Sequence, residues 1–234
     1  MASPPRMLLL GAALAATGLL GAVAVSAPGV STASARSAAP HVVQSQPSPL
    51  HLGSRGHRVR ILQKRLIELG YLSARVRRGV FGMRTWHAVV AFQGWEGLQR
   101  DGIVGPRTRR ALASAERPRP WRKLKRALEL DVKRQVLLVV GHGRTVRAVH
   151  ISSGKPGYDT PRGHYRVYRR ELKSWSHAYQ VWMPYALYFT GGYAIHGFGD
   201  VPAYPASHGC VRVPLSEAPW VYERTPLRTR VLVR

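Results

Sequence analysis

Between residues 116 and 126 the apolar period of this chain changes, and that change limits its possible folds more than any other feature. Before it, Val59, Leu62, Leu66 and Leu69 recur at helical spacing and stop at Gly70. After it, Leu128, Leu130 and Val132 alternate, and Val136 to Val140 is continuously apolar. Gly141-His142-Gly143 then reads as a hairpin turn into a returning run from Val146 to Ile151. Further strand-like runs follow at Tyr165–Tyr168, Val181–Met183, Ala186–Phe189, Tyr193–Ile195, Val211–Val213 and Val231–Val233. A multidomain chain is expected, with a small helical module at 50–115, a linker at 116–126 and a mostly β domain at 127–234. Residues 116–126 are rich in proline and charge, which favours a solvated spacer.

The helical module carries an internal repeat. Gly79, Gly82, Thr85 and Ala88 recur 23 positions later as Gly102, Gly105, Thr108 and Ala111. In each copy the first glycine permits a tight turn and the second precedes a helix, with Pro106 placed where a first-turn proline loses no hydrogen bond. Ala88, Val89 and Phe92 share one helix face, and Ala111, Leu112 and Ala115 another.

Upstream, Met7 to Val25 is an unbroken apolar and small-residue stretch behind Arg6, with a small-x-small site at Ala33-Ser34-Ala35. Residues 1–35 read as a signal peptide or a membrane anchor, and 36–49, with three prolines and no apolar period, as a flexible tether. Either leader places the folded part outside the cytoplasm. Composition matters at this point: 36 Lys+Arg against 11 Asp+Glu give a net charge of +25, and only six of the basic residues are lysine. Such a charge calls for an anionic partner, and export makes nucleic acid a poor one and an anionic cell wall a better one. A hydrophobic content of 45% excludes global disorder.

The single cysteine, Cys210, cannot form an internal disulfide. It lies in Ser207-His208-Gly209-Cys210-Val211-Arg212, fourteen positions after His196 in Ala194-Ile195-His196-Gly197. A thiol attacks carbonyls as thiolate and needs a base or cationic surroundings to lose its proton. His196, His208 and Arg212 are the candidates, and the flanking glycines leave room for backbone amides to approach an oxyanion. A zinc site on His196, His208 and Cys210 is the rival reading, short of a fourth ligand. A plain core cysteine is the bland one. The other histidines, His87 and His150 among them, read as surface or loop residues. Trp175, Trp182, Tyr185, Tyr188 and Tyr193 read as core or cleft wall.

Two resemblances rest on these residues. Leu62-Gln63, Leu69-Gly70-Tyr71, Phe81-Gly82, Thr85, Ala88-Val89, Phe92-Gln93, Gly97-Leu98, Asp101-Gly102, Gly105, Thr108 and Ala111-Leu112 resemble the three-helix peptidoglycan-binding domain of bacterial wall enzymes. The family usually has an acidic residue before the first turn glycine, where this chain has Arg78. His196-Gly197 with the Ser207–Arg212 block, together with Ser153-Gly154 and Thr160-Pro161-Arg162-Gly163, resembles the L,D-transpeptidase catalytic domain (YkuD-type).

That second resemblance implies a β-sandwich-like fold with Cys210 as nucleophile and His196 as proton donor and acceptor. The Gly197 carbonyl would orient His196, His208 would support the site, and the backbone at Gly209 and Cys210 would form the oxyanion hole. Arg212 would lie beside the substrate or support the structure. The implied reaction joins peptidoglycan stem peptides by 3-3 crosslinks, with no cofactor or metal. Carboxypeptidase trimming and non-catalytic wall binding are the alternatives. A sortase-like enzyme is disfavoured by the absence of a Thr-Leu-x-Thr-Cys segment, and a wall peptidase of Cys-before-His order by the order seen here.

Overall fold

The computed structural model describes residues 47–234. The leader and most of the expected tether lie outside the described residues. Three helices come first: α1 (His57–Glu68), α2 (Met83–Trp95) and α3 (Pro106–Ser114). Val59, Leu62 and Leu66 form the buried stripe of α1. The helix ends in a Schellman motif, where left-handed Gly70 lets its own amide reach Ile67 O and the Tyr71 amide reach Leu66 O.

The repeat has a physical basis in two buried glutamines. Gln63 accepts from the Gly79 amide at 2.8 Å and donates to Arg77 O, Val80 O and the Thr85 hydroxyl. Gln93 accepts from the Gly102 amide at 2.9 Å and donates to Asp101 Oδ1, Ile103 O and the Thr108 hydroxyl. Each glutamine thus clamps one glycine turn to the helix behind it. In the first copy Arg78 offers no carboxylate, and the Arg77 carbonyl serves as an acceptor instead.

Nine strands follow: β1 (Arg126–Asp131), β2 (Val136–Gly141), β3 (Arg144–His150), β4 (Gly163–Arg166), β5 (Arg169–Ser176), β6 (Val181–Thr190), β7 (Tyr193–Phe198), β8 (Val211–Pro214) and β9 (Arg230–Val233). A short helix α4 (Ala218–Glu223) precedes the last strand. They form a five-stranded sheet, β3-β2-β1-β9-β4, and a four-stranded sheet, β5-β6-β7-β8. Leu128, Leu130, Leu137, Val139, Val231 and Val233 of the first sheet meet Leu187, Phe189, Ile195, Val211 and Val213 of the second in one core. The expected sandwich is present.

The alternation expected for β1 is present as two opposite faces, although five of its six residues are buried. Leu128 and Leu130 face the sandwich, while Ala127, with Val136, Leu138, Val140 and Ala148, joins the core of the helical module. The five-stranded sheet is therefore the middle of three layers. For the same reason α2 is buried on nearly all sides, from Thr85 through Gly94. The Ala148 amide donates to Gly70 O at 2.9 Å across this junction.

The segment at 116–126 is mostly exposed but is held at several points. Arg117 donates to Glu68 O, Thr145 O and Val146 O, and the Trp121 and Arg122 amides donate to the buried carboxylate of Glu129. Its charged side chains do reach solvent, but its backbone is pinned. Strand β5 was not expected, because a charged edge strand shows no apolar period. The runs at Val181–Met183 and Ala186–Phe189 form one strand, bent where Pro184 is followed by left-handed Tyr185.

Candidate active site

Strands β7 and β8 run parallel, with Ile195 opposite Val211 and His196 opposite Arg212. Ile195 and Val211 point into the sandwich core. Side chains alternate along a strand, so Ala194 and His196 on β7 and Arg212 on β8, together with Cys210 just before it, belong to the opposite face. Cys210 packs there against Met183, Ala186, Tyr188 and Ala194. His196 lies within β7 rather than after it, on the strand neighbouring the cysteine.

The His196 ring has a defined protonation state. Its Nδ1 lies 2.9 Å from Gly197 O. A carbonyl only accepts, so Nδ1 carries the proton and Nε2 keeps its lone pair. Burial pushes its pKa down to about 4, partly offset by the Gly197 bond and reinforced by the Arg212 charge. The imidazole is thus neutral near pH 7 and its free nitrogen is a base. Gly197 has no space for a side chain, since a Cβ there would meet Ala218 Cβ of α4 at 2.8 Å.

Burial pushes the Cys210 thiol above its ordinary pKa, against the lowering effects of a hydrogen bond from the Ala194 amide and the Arg212 charge. The thiol lies 3.9 Å from Gly192 O, on the sheet face that also carries the His196 imidazole. Burial thus favours the neutral thiol over the thiolate.

The backbone carrying Cys210 is fixed by residues whose sequence signal was only their place in a motif. The Ser207 hydroxyl donates to Cys210 O and accepts from the Gly209 amide at 3.0 Å. Thr160 Oγ1 donates to Gly209 O at 2.8 Å and accepts from the Gly154 amide at 3.0 Å. Gly209 has φ +111°, and a Cβ on it would lie 2.3 Å from Tyr193 Cε1. Tyr193 therefore packs closely against the loop that carries Cys210. The Gly209 amide is thus engaged with Ser207.

His208 points its ring into an aromatic bracket, stacked on Tyr179 at 4.6 Å and edge-on to Tyr158 at 4.7 Å. It joins the tip of the β5–β6 hairpin to the loop after Gly154. The Arg212 guanidinium lies over Phe198 at 4.2 Å, its main chain pairs with Ser152 in both directions, and burial lowers its pKa. Among the described residues no three His, Cys, Asp or Glu side chains gather as a metal ion would require.

The surface or loop placement expected of His150 is corrected: it is 1% exposed, at the end of β3. Its Nε2 lies 3.1 Å from Pro202 O, and its Nδ1 lies 2.9 Å from Nδ1 of the half-buried His87 on α2. Pro202 O only accepts, so His150 Nε2 carries the proton and His87 Nδ1 donates to His150 Nδ1. The Ser152 hydroxyl donates to Tyr204 O at 2.7 Å. The segment between His196 and Cys210 is thus tied to β3, and through His87 to the helical module.

Comparison with known proteins bears on the two domains and their fold. The family model of the L,D-transpeptidase catalytic domain, YkuD, matches residues 125–233, and that of the peptidoglycan-binding domain matches residues 55–112. The crystal structure of an L,D-transpeptidase from Xylanimonas cellulosilytica is similar with a TM-score of 0.74. It is 38% identical and covers 81% of this chain and 98% of that one. An L,D-transpeptidase from Stackebrandtia nassauensis is 26% identical with a TM-score of 0.51, covering 80% and 97%. A Bacillus licheniformis protein described as "Probable N-acetylmuramoyl-L-alanine amidase" is 36% identical over 99 residues. That match spans 42% of this chain and 26% of that protein.

Proposed function

We propose that this chain, which belongs to the L,D-transpeptidase family, is an exported peptidoglycan enzyme that forms 3-3 crosslinks between stem peptides through an acyl group on Cys210. The observation that carries the reading is the His196 Nδ1 contact with Gly197 O at 2.9 Å, which leaves Nε2 as a base on the sheet face shared with Cys210.

Cys210 Sγ attacks the carbonyl of the bond to the terminal D-Ala while His196 Nε2 takes the thiol proton. The oxyanion is held by the Cys210 amide, and the C–N bond breaks as His196 gives its proton to the leaving amine. A thioester remains. The side-chain amine of a second stem then attacks it, His196 accepts the amine's proton, and the proton returns to Sγ as the thiolate leaves. Burial raises the Cys210 pKa and lowers that of His196, which favours proton transfer during attack over a preformed ion pair. Water in place of the amine gives the carboxypeptidase reaction.

The helical module is read as the wall-binding part, with glycan and stem peptides as its partners. It is docked on the catalytic sheet, so polymer held by the module lies at a fixed distance from the site, and the second contact becomes intramolecular. The leader is read as the means of export, by a cleaved signal or by anchoring to the membrane, and places the enzyme at the wall or at the outer face of the membrane. Chromatography of products after incubation with disaccharide tetrapeptide tests the reaction. A dimer one D-Ala short is expected. Tripeptide without dimer would assign the carboxypeptidase reaction, and unchanged substrate with folded, reduced protein would leave the wall-binding reading.

A further inference from the structure

A cavity of about 710 Å³ opens where the helical module meets the five-stranded sheet. Gly94, Gly97, Leu98 and Arg100 line it from the module, and Asp131, Lys133, Arg134, Arg162 and Arg234 from the sheet domain. Five cationic side chains thus face one carboxylate. Asp131 is shared between Arg134 and Arg234, each at 3.7 Å. Glu96, outside the lining, is close enough to Arg134 to feel its charge. Among the described residues Arg100, Lys133 and Arg162 have no acidic partner.

Arg100 gives a second, independent observation. It is the most enclosed of these three, and its Nη1 is buried without a hydrogen-bond partner. A buried guanidinium nitrogen left unbonded is costly, and burial alone lowers the pKa of this group. An oxyanion in the cavity would supply the countercharge to this guanidinium.

We propose that this junction is a second ligand site, apart from Cys210, for a repeating oxyanion of the wall. More than one negative charge is needed to balance the lining, which favours a polymer over a single carboxylate. Guanidinium groups bind phosphodiester and carboxylate oxygens alike. The two sources of that chemistry are a poly(alcohol phosphate) of the wall and the carboxylates of neighbouring stem peptides. The site lies between the module read as wall-binding and the sheet, and Arg162 is two residues from Thr160, which bonds to Gly209. A polymer bound here would be registered against the nucleophile loop. Only the naming of the ligand as a wall component rests on the proposed function, because binding at the junction needs no catalysis.

The test is titration calorimetry of the full chain with glycerol phosphate oligomers and, separately, with disaccharide tetrapeptide, at two salt concentrations. Lys133→Gln/Arg162→Gln removes two charges from the cavity. Arg107→Gln/Arg110→Gln removes two from exposed positions of α3 and serves as the charge-matched control. The expected result is a Kd at least about tenfold weaker for the junction pair and less than about twofold weaker for the control. Equal loss in both would overturn the proposal by assigning binding to net charge. In the wild-type chain the ligand should also shift the amide resonances of Gly94, Gly97 and Lys133 but not that of Arg107, a readout that needs no variant. Weaker binding of only one ligand by the junction pair identifies the source, since disaccharide tetrapeptide also binds at Cys210, and weaker binding of neither overturns the site, whatever the outcome of the crosslinking assay.

Discussion

Replacing Thr160 by Val keeps shape while removing one hydroxyl. That hydroxyl serves two buried main-chain groups, Gly209 O at 2.8 Å and the Gly154 amide at 3.0 Å. The site is nearly closed to solvent, with Thr160 4% exposed, so water is a poor substitute. Each unpaired buried group costs about 1–3 kcal/mol, so the pair should cost about 2–6 kcal/mol. For a folded unit of this size that is a fall in Tm of roughly 10 °C. Since Gly209 immediately precedes Cys210, the proposed nucleophile, a displaced carbonyl also moves that residue, and turnover should fall by up to about 100-fold. Urea denaturation and turnover of disaccharide tetrapeptide measure the two effects. Thr160→Ser restores the hydroxyl and should stay near wild type in both. A Val variant within about 0.5 kcal/mol of wild type and fully active would refute the claim that Thr160 holds the loop.

Gly209→Ala should abolish turnover, because a Cβ would strike the Tyr193 ring at 2.3 Å and φ is +111°; Tyr193→Ala in the same chain should recover only part of it. Gly94→Ala places a Cβ 2.3 Å from Arg134 O and should loosen the helical module, seen as faster proteolytic cleavage within 116–126. His87, His150 and His196 are buried with pKa values held down to about 4, 3 and 4. Between the unfolded histidine value of 6.5 and those values the unfolded chain binds more protons. Stability is therefore predicted to fall as pH drops through that window, and kcat/KM should lose its base on the acid side near pH 4. A stability curve flat from pH 6.5 to 4 would contradict these burial assignments.

Much of this was legible in the sequence where one residue pattern carries one physical demand. The two-residue hairpin at His142-Gly143, both left-handed, followed from a glycine turn between apolar runs. The repeat of Gly79 and Gly102 was visible, but the glutamines that clamp those turns stand 30 positions apart rather than 23, and so fell outside the repeat. Alternation in β1 marked Leu128 and Leu130 as one face, but nothing in it signalled that the other face, with Ala127 and Glu129, would also be buried. His150 was read as peripheral because nothing local signals that α2 will cover it. Cys210 and His196 were identified from their motifs. The roles of Ser207, Thr160 and Tyr193 depend on contacts between distant segments, and so did the pinning of 116–126 by Glu129.

The central claim is that Cys210 is acylated with His196 as its proton carrier. Intact-mass spectrometry of the wild-type, Cys210→Ser and His196→Gln chains after incubation with disaccharide tetrapeptide tests it most directly. The account predicts a mass increase on Cys210 with release of one D-Ala in the wild type. It predicts none in the serine chain and a rate at least about 100-fold lower in the glutamine chain. An adduct elsewhere than Cys210, or undiminished acylation without the imidazole, would contradict it.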